Sequence, residues 1–222
     1  MIYKMKKNKA VLSILVLLFT NTSSFAQKIE EVKIGTQVWM SKNLNVDKFR
    51  NGDPIPEAKT IQEWLKASEN KQPAWCYYDN IAANGEKYGR LYNWFAVTDP
   101  RGLAPSGWHV PTDAELTQLT DLFGGEFGGD KYSPTTGTKL KSTSGWKNNG
   151  SGTNESGFSA LPAGGRDLNG IFNLIEEAGG LHCTSEQTTV NAWARQLVSA
   201  SGYIFRASGP KGTGLSVRCV KD

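Results

Sequence analysis

The sequence is short of the side chains on which most site chemistry depends. Its 222 residues include two histidines, His109 and His182, and three cysteines, Cys76, Cys183 and Cys219. No Cys-x-x-Cys or His-x-x-x-His occurs, so the ligand spacings of zinc sites are missing. There is no Gly-x-Ser-x-Gly, and neither histidine stands in a pattern that marks a Ser or Cys nucleophile. The run from Gly124-Gly125 to Gly128-Gly129 lacks the Lys-Ser/Thr ending of a phosphate loop and reads as helix termination. No EF-hand loop is present, and Asp79, Asn80, Asp99, Asp167 and Glu186 are ordinary loop oxygens. No cofactor is therefore expected; calcium is the one cation for which oxygens are at hand, and nothing supports it. Glu176-Glu177 reads as a solvated charged face rather than an acid/base pair. The sequence predicts no enzyme.

A long hydrophobic run is also missing. The stretch Ala10 to Phe19 is about half of the roughly 20 residues a membrane-spanning helix needs. Four lysines and no acid precede it, and Ser24 and Ala26 follow at small-residue cleavage positions. That is the pattern of a cleavable secretory signal at 1–26. The expected product, 27–222, is a single secreted, periplasmic or cell-surface domain with no membrane anchor. Charge of one sign is lacking too. Of 25 Lys and Arg, four lie at positions 4, 6, 7 and 9, which leaves 21 basic against 21 acidic residues after cleavage. A neutral domain gives no electrostatic case for nucleic acid.

What the chain does have is 24 Gly, seven Trp, seven Tyr and nine Phe, a composition of tight turns and large buried rings. Apolar alternation about Gly35 predicts a hairpin over 32–40. Thr60 with Glu63, and Thr112 with Glu115, have the spacing of capping boxes and start two helices. The second helix runs to Phe123 with Leu116, Leu119, Leu122 and Phe123 as its apolar stripe. Spacing of Leu91, Trp94, Phe95 and Thr98 predicts another helix at about 91–98. Residues 79–86 read as a polar turn and 126–157 as irregular loop. Short strands follow, at 191–197, 203–206 and 215–220, with Trp193 and Arg195 on one side. Trp193 at an alternating strand position reads as core rather than as a binding face. His109 before Val-Pro reads as structural. Helices early and strands late make the fold class α+β.

Six blocks in order, among them Val38-Trp-Met-Ser-Lys-Asn-Leu-Asn, Gly85-Glu-Lys-Tyr-Gly-Arg-Leu-Tyr-Asn-Trp-Phe-Ala-Val, Gly107-Trp-His-Val-Pro-Thr-Asp-Ala-Glu and Gly214-Leu-Ser-Val-Arg-Cys-Val-Lys-Asp, cover about 32–222. In them the sequence resembles the Fibrobacter succinogenes major paralogous domain of exported bacterial proteins. Val110-Pro-Thr-Asp-Ala-Glu and the terminal block are also similar to segments of the formylglycine-generating, sulfatase-modifying proteins. The resemblance implies a C-type-lectin-like domain, two main helices against a short twisted antiparallel sheet with long loops. It implies no assigned reaction. A formylglycine-generating enzyme would need a close reactive cysteine pair late in the chain, and Cys183 and Cys219 are too far apart to match it. By composition any of the three disulfide pairings is open. Because Cys76 and Cys219 lie in family blocks, the resemblance favours that pair, with Cys183–Cys219 next. Here Gly180-Leu-His-Cys-Thr-Ser-Glu departs from the family, which carries aromatics before a Ser-Ser or Ser-Thr. The expected function is a non-catalytic module that binds a glycan or a protein. Its rivals are an enzyme related to formylglycine generation and a structural subunit of a surface assembly.

Overall fold

The computed structural model describes residues 29–222; the expected signal at 1–26 lies outside them. Strands β1 (Glu31–Ile34) and β2 (Gln37–Met40) form the expected hairpin. Its turn is at Gly35, whose φ of 59° is open to glycine at little cost. The last strand, β11 (Val220–Lys221), pairs with β2, and also with β5 (Trp108–His109), closing a four-stranded sheet of order β1-β2-β11-β5. A two-stranded ladder joins β3 (Trp75–Cys76) to β4 (Leu91–Tyr92).

The third sheet is the largest. It runs β10-β9-β8-β6-β7, from β6 (Ala163–Arg166), β7 (Phe172–Ile175), β8 (Ala178–Glu186), β9 (Asn191–Val198) and β10 (Ile204–Pro210). All its pairings are antiparallel except β6 with β8, which meet in parallel at Gly164 and Gly179. Gly164 holds φ 62°, and a Cβ there would sit 2.6 Å from the Asn173 carbonyl oxygen, so glycine is required at this junction. The chain is α+β, with three sheets in place of one short antiparallel sheet.

Both capping boxes form. Thr60 caps α1 (Ile61–Glu69) and Thr112 caps α4 (Asp113–Asp121), each with its glutamate returning to the cap backbone. Leu116 and Leu119 are buried as expected, whereas Leu122 lies past the helix and is 53% exposed. Three local expectations are corrected. The stretch 91–98 is split into β4 and a single turn, α3 (Trp94–Val97), because Asn93 caps the turn through the Ala96 N–H. The polar turn at 79–86 is largely helical, in α2 (Ala82–Tyr88). The loop 126–157 contains α5 (Thr136–Leu140), with Thr136, Gly137 and Leu140 buried.

The core is in three clusters. One gathers Met40, Phe49, Trp75, Tyr92, Trp108 and Cys219 under the four-stranded sheet. A second gathers Trp39, Leu116, Leu119, Phe158, Leu197 and Cys183 between α4 and the five-stranded sheet. A third gathers Trp64, Cys76, Tyr78 and Leu91 around α1.

Candidate functional site: a cleft on the five-stranded sheet

Pairing register fixes which side chains share a face. His182 of β8 is opposite Ala194 of β9, and Ala194 is opposite Ala207 of β10. Side chains two apart on a strand share a face, so Gly180, Ala192, Gln196 and Gly209 join that row. These residues floor a cleft of about 260 Å³, rimmed by Asn173, Leu174 and Leu215. Leu174, on the rim, has φ 61° and is 47% exposed, an unusual conformation for a bulky residue.

His182 is the chemically distinctive group here. It is 3% exposed and lines the cleft. Its Nε2 lies 3.0 Å from the carbonyl oxygen of Tyr92 and 3.1 Å from that of Thr213. Both partners accept only, so Nε2 carries the proton and Nδ1 is left with a lone pair. That Nδ1 is buried and meets no hydrogen-bonding partner among the described residues. Burial, which disfavours the charged ring, pulls the His182 pKa down to about 4, so the imidazole is neutral. A bulge between His182 and Glu186 breaks the β8–β9 register beside it.

The opposite face of the same strand is filled. Arg195 is fully buried against α4, where its guanidinium reaches Glu126 through Nε and Nη2 and Asp113 Oδ1 at 2.7 Å. Arg206 takes the other Asp113 oxygen at 2.7 Å. Burial pushes the Asp113 carboxyl up, but bonds from Arg206 and Arg195 outweigh it and hold the pKa below the usual range. Trp193 is partly buried against the second core cluster, and the Arg206 guanidinium lies 3.7 Å from its ring centre.

The other sequence candidates fall elsewhere. Cys76, Cys183 and Cys219 are all free and buried. The expected Cys76–Cys219 bridge, and the alternative Cys183–Cys219, are therefore corrected: each sulfur sits in a different core cluster. Burial pushes the thiols up, Cys76 and Cys219 to about 12 and Cys183 to about 11. The oxygens weighed for calcium are dispersed. Asp99 is bonded to Arg101, Asp167 accepts from the Asn169 and Ile171 amides, and Glu186 pairs with Lys211 at 3.0 Å. Among the described residues no three His, Cys, Asp or Glu side chains are grouped as a metal site would require. Glu176 and Glu177 face Lys87 and Lys147 at the surface. His109 bridges Asp222 through Nδ1 at 2.7 Å and Glu115 through Nε2 at 2.8 Å.

Sequence reasoning missed His182 as a site residue because both of its carbonyl partners are remote in the chain. The available signal was the alternation of β9, where small residues at 192 and 194 interleave with Trp193, Arg195 and Leu197.

Three small sheets, two box-capped helices and a neutral, small-residue cleft define the class: an α+β domain with a preformed hollow. The chain belongs to the Fibrobacter succinogenes major domain family, whose profile matches residues 32–221. No curated protein and no solved structure matches it. Among the described residues no helix is long and apolar enough to cross a membrane.

Proposed function

We propose that this domain is a non-catalytic binding module of an exported protein, and that the cleft on the five-stranded sheet is its recognition site. One observation carries the reading: a preformed hollow of about 260 Å³ on the sheet, floored by Gly180, Ala192, Ala194 and Ala207 and lined by polar side chains including Asn173 and Gln196. A concave, largely small-residue hollow with a few polar groups at its wall is the usual form of a ligand site. The buried thiols, each with a raised pKa, weigh against the formylglycine-generating alternative, which needs a reactive pair. A C-type-lectin-like arrangement is part of the same proposal, supported by the two capped helices set among antiparallel strands and long loops.

The test is an array of glycans and peptides probed with the protein and with Ala207→Leu, whose larger side chain fills the cleft floor. Capture by the parent that vanishes in the variant supports the reading; capture indifferent to the substitution refutes it. Thiol titration of the folded protein tests the enzymatic rival, which requires at least one fast-reacting sulfur.

A further inference from the structure

We infer that the recognition face binds a neutral oligosaccharide, one unit of which enters the hollow while the next lies on a cluster of aromatic rings beside it. The inference rests on the cleft being the recognition site and names its ligand class.

The binding face does not end at the rim of the hollow. Gln196 of β9, which lines it, is opposite Phe205 of β10. Phe205 is two residues from Ala207 in the floor, so its side chain is on the cleft face. The Phe205 ring is one of four. Phe127, bridged in parallel to Phe205, has its ring centre 5.6 Å from that of Phe205, 5.7 Å from that of Tyr203 and 5.8 Å from that of Tyr132. The four rings meet one another, but two are left open: Phe127 is 49% and Tyr132 61% exposed. Exposed rings gathered next to a hollow with polar walls mark a binding surface. The hollow, at about 260 Å³, is smaller than the roughly 300–1,000 Å³ of most ligand pockets. It takes one end of a ligand, and the rings take the rest.

The polar groups fit hydroxyls. Gln196 is on one side of the hollow, and Asn173 of β7, opposite Gly165, is on the other. The Gln196 carboxamide has no hydrogen-bonding partner among the described residues, and that of Asn173 reaches only the Ile171 carbonyl oxygen, at 3.5 Å. Each carboxamide both donates and accepts. Asp167, also at the wall, accepts the Asn169 and Ile171 amides on Oδ1, which leaves Oδ2 as a further acceptor. A sugar ring matches all of this, with hydroxyls on its rim for the amides and the carboxylate, and a C–H face for the aromatic rings. A peptide would instead need an open strand edge. Beside the rings the β10 edge is closed, because Phe127 N donates to the Ile204 carbonyl oxygen at 2.8 Å and Arg206 N to that of Phe127 at 2.9 Å.

Charge narrows the sugar. The two cations that line the hollow are engaged, Arg195 by Asp113 and Glu126 and Arg166 by the carbonyl oxygens of Ala58, Thr60 and Gly170. Lys131, next to Tyr132, is paired with Asp121 at 3.6 Å. With these cations held and an Asp167 oxygen open, an acidic sugar is disfavoured and the complementary ligand is neutral.

The experiment probes the full chain with an array of short glucose, xylose, mannose and N-acetylglucosamine oligomers, with uronic-acid oligomers and Ala-rich peptides beside them. Affinity for each captured sugar is then measured by calorimetric titration. Neutral oligomers are expected to be captured, and acidic oligomers and peptides are not. Tyr132→Ala should weaken binding roughly tenfold by removing one exposed ring. Gln196→Leu, which keeps the bulk and removes the carboxamide, should weaken it by a similar factor. The thermal midpoint of Tyr132→Ala should match that of the parent, because the ring is mostly outside the core; this separates a lost contact from a lost fold. Should Gln196→Leu fail to fold, Tyr132→Ala carries the test. Sugar affinity that a folded variant leaves unchanged overturns the inference. Capture of peptides or acidic oligomers in place of neutral ones overturns it as well, and loss of that capture in Ala207→Leu would still keep the cleft as the recognition site. Silence toward every probe overturns the inference and the proposed site together.

Discussion

On strand β9, Trp193, Arg195 and Leu197 face α4 and a core cluster, whereas Ala192, Ala194 and Gln196 face the cleft. The packed face contains a fully buried guanidinium, two carboxylates and a covered indole. The cleft face carries small side chains, the neutral His182 ring and the amide of Gln196. The packed face is where this strand spends its chemistry on holding the fold. The other face leaves a hollow over small side chains. Because side chains alternate strictly along a strand, both properties can be written into eight residues without interfering.

Four measurements would break or sharpen that contrast. The largest effect is expected from Arg195→Met, which strands Glu126, itself 1% exposed, and removes a partner from Asp113. Urea unfolding should show a loss of about 3–5 kcal/mol, the usual result of halving a buried ion network. A loss below 1 kcal/mol would show that the network is not what holds this face.

Acid comes next and reads the cleft face. His182 has a folded pKa near 4 against an unfolded value near 6.5, so its contribution is intact above pH 6.5 and is lost as pH falls toward 4. The part of the stability change that disappears in His182→Gln should be about 3 kcal/mol between pH 7 and pH 4. His109 has the opposite sign. Burial lowers its pKa, but the Glu115 and Asp222 bonds outweigh that and raise it. Its contribution is present below pH 6.5 and fades as pH rises through the raised value. Proton-resonance titration of the two rings should show one moving to each side of 6.5; two coincident curves would remove the contrast.

Thr112→Ala removes the cap of the helix that covers the packed face and should cost about 1 kcal/mol by thermal unfolding. Ala207→Leu, on the cleft face, should change stability by less than about 0.5 kcal/mol in the same assay. A large loss there would mean that the hollow is structural slack and not a free site.

Much of the packed face was legible in the sequence, and the cleft was not. Thr60 with Glu63 and Thr112 with Glu115 announce their helices because a cap acts over three residues. The hairpin over 31–40 and strand β9 are readable for a similar reason, since alternation is local. Helices α2 and α5 are too short to show a periodic stripe, and both draw on distant partners. Gly137, for instance, packs against the backbone of Tyr203. The separation of Leu91 from Trp94 depends on β4 finding β3, some fifteen residues away. His182 is the extreme case. Its tautomer is set by the carbonyl oxygens of Tyr92 and Thr213, a relation that becomes visible only once three segments have met.

The placement of one cysteine in each core cluster has a practical consequence. None of the three sulfurs can be alkylated until its own region opens, because each is shielded and protonated at neutral pH. Labelling rates at Cys76, Cys183 and Cys219, resolved by mass spectrometry, therefore act as three independent clocks. Read side by side, they rank the α1 region, the α4 layer and the four-stranded sheet by how often each breathes.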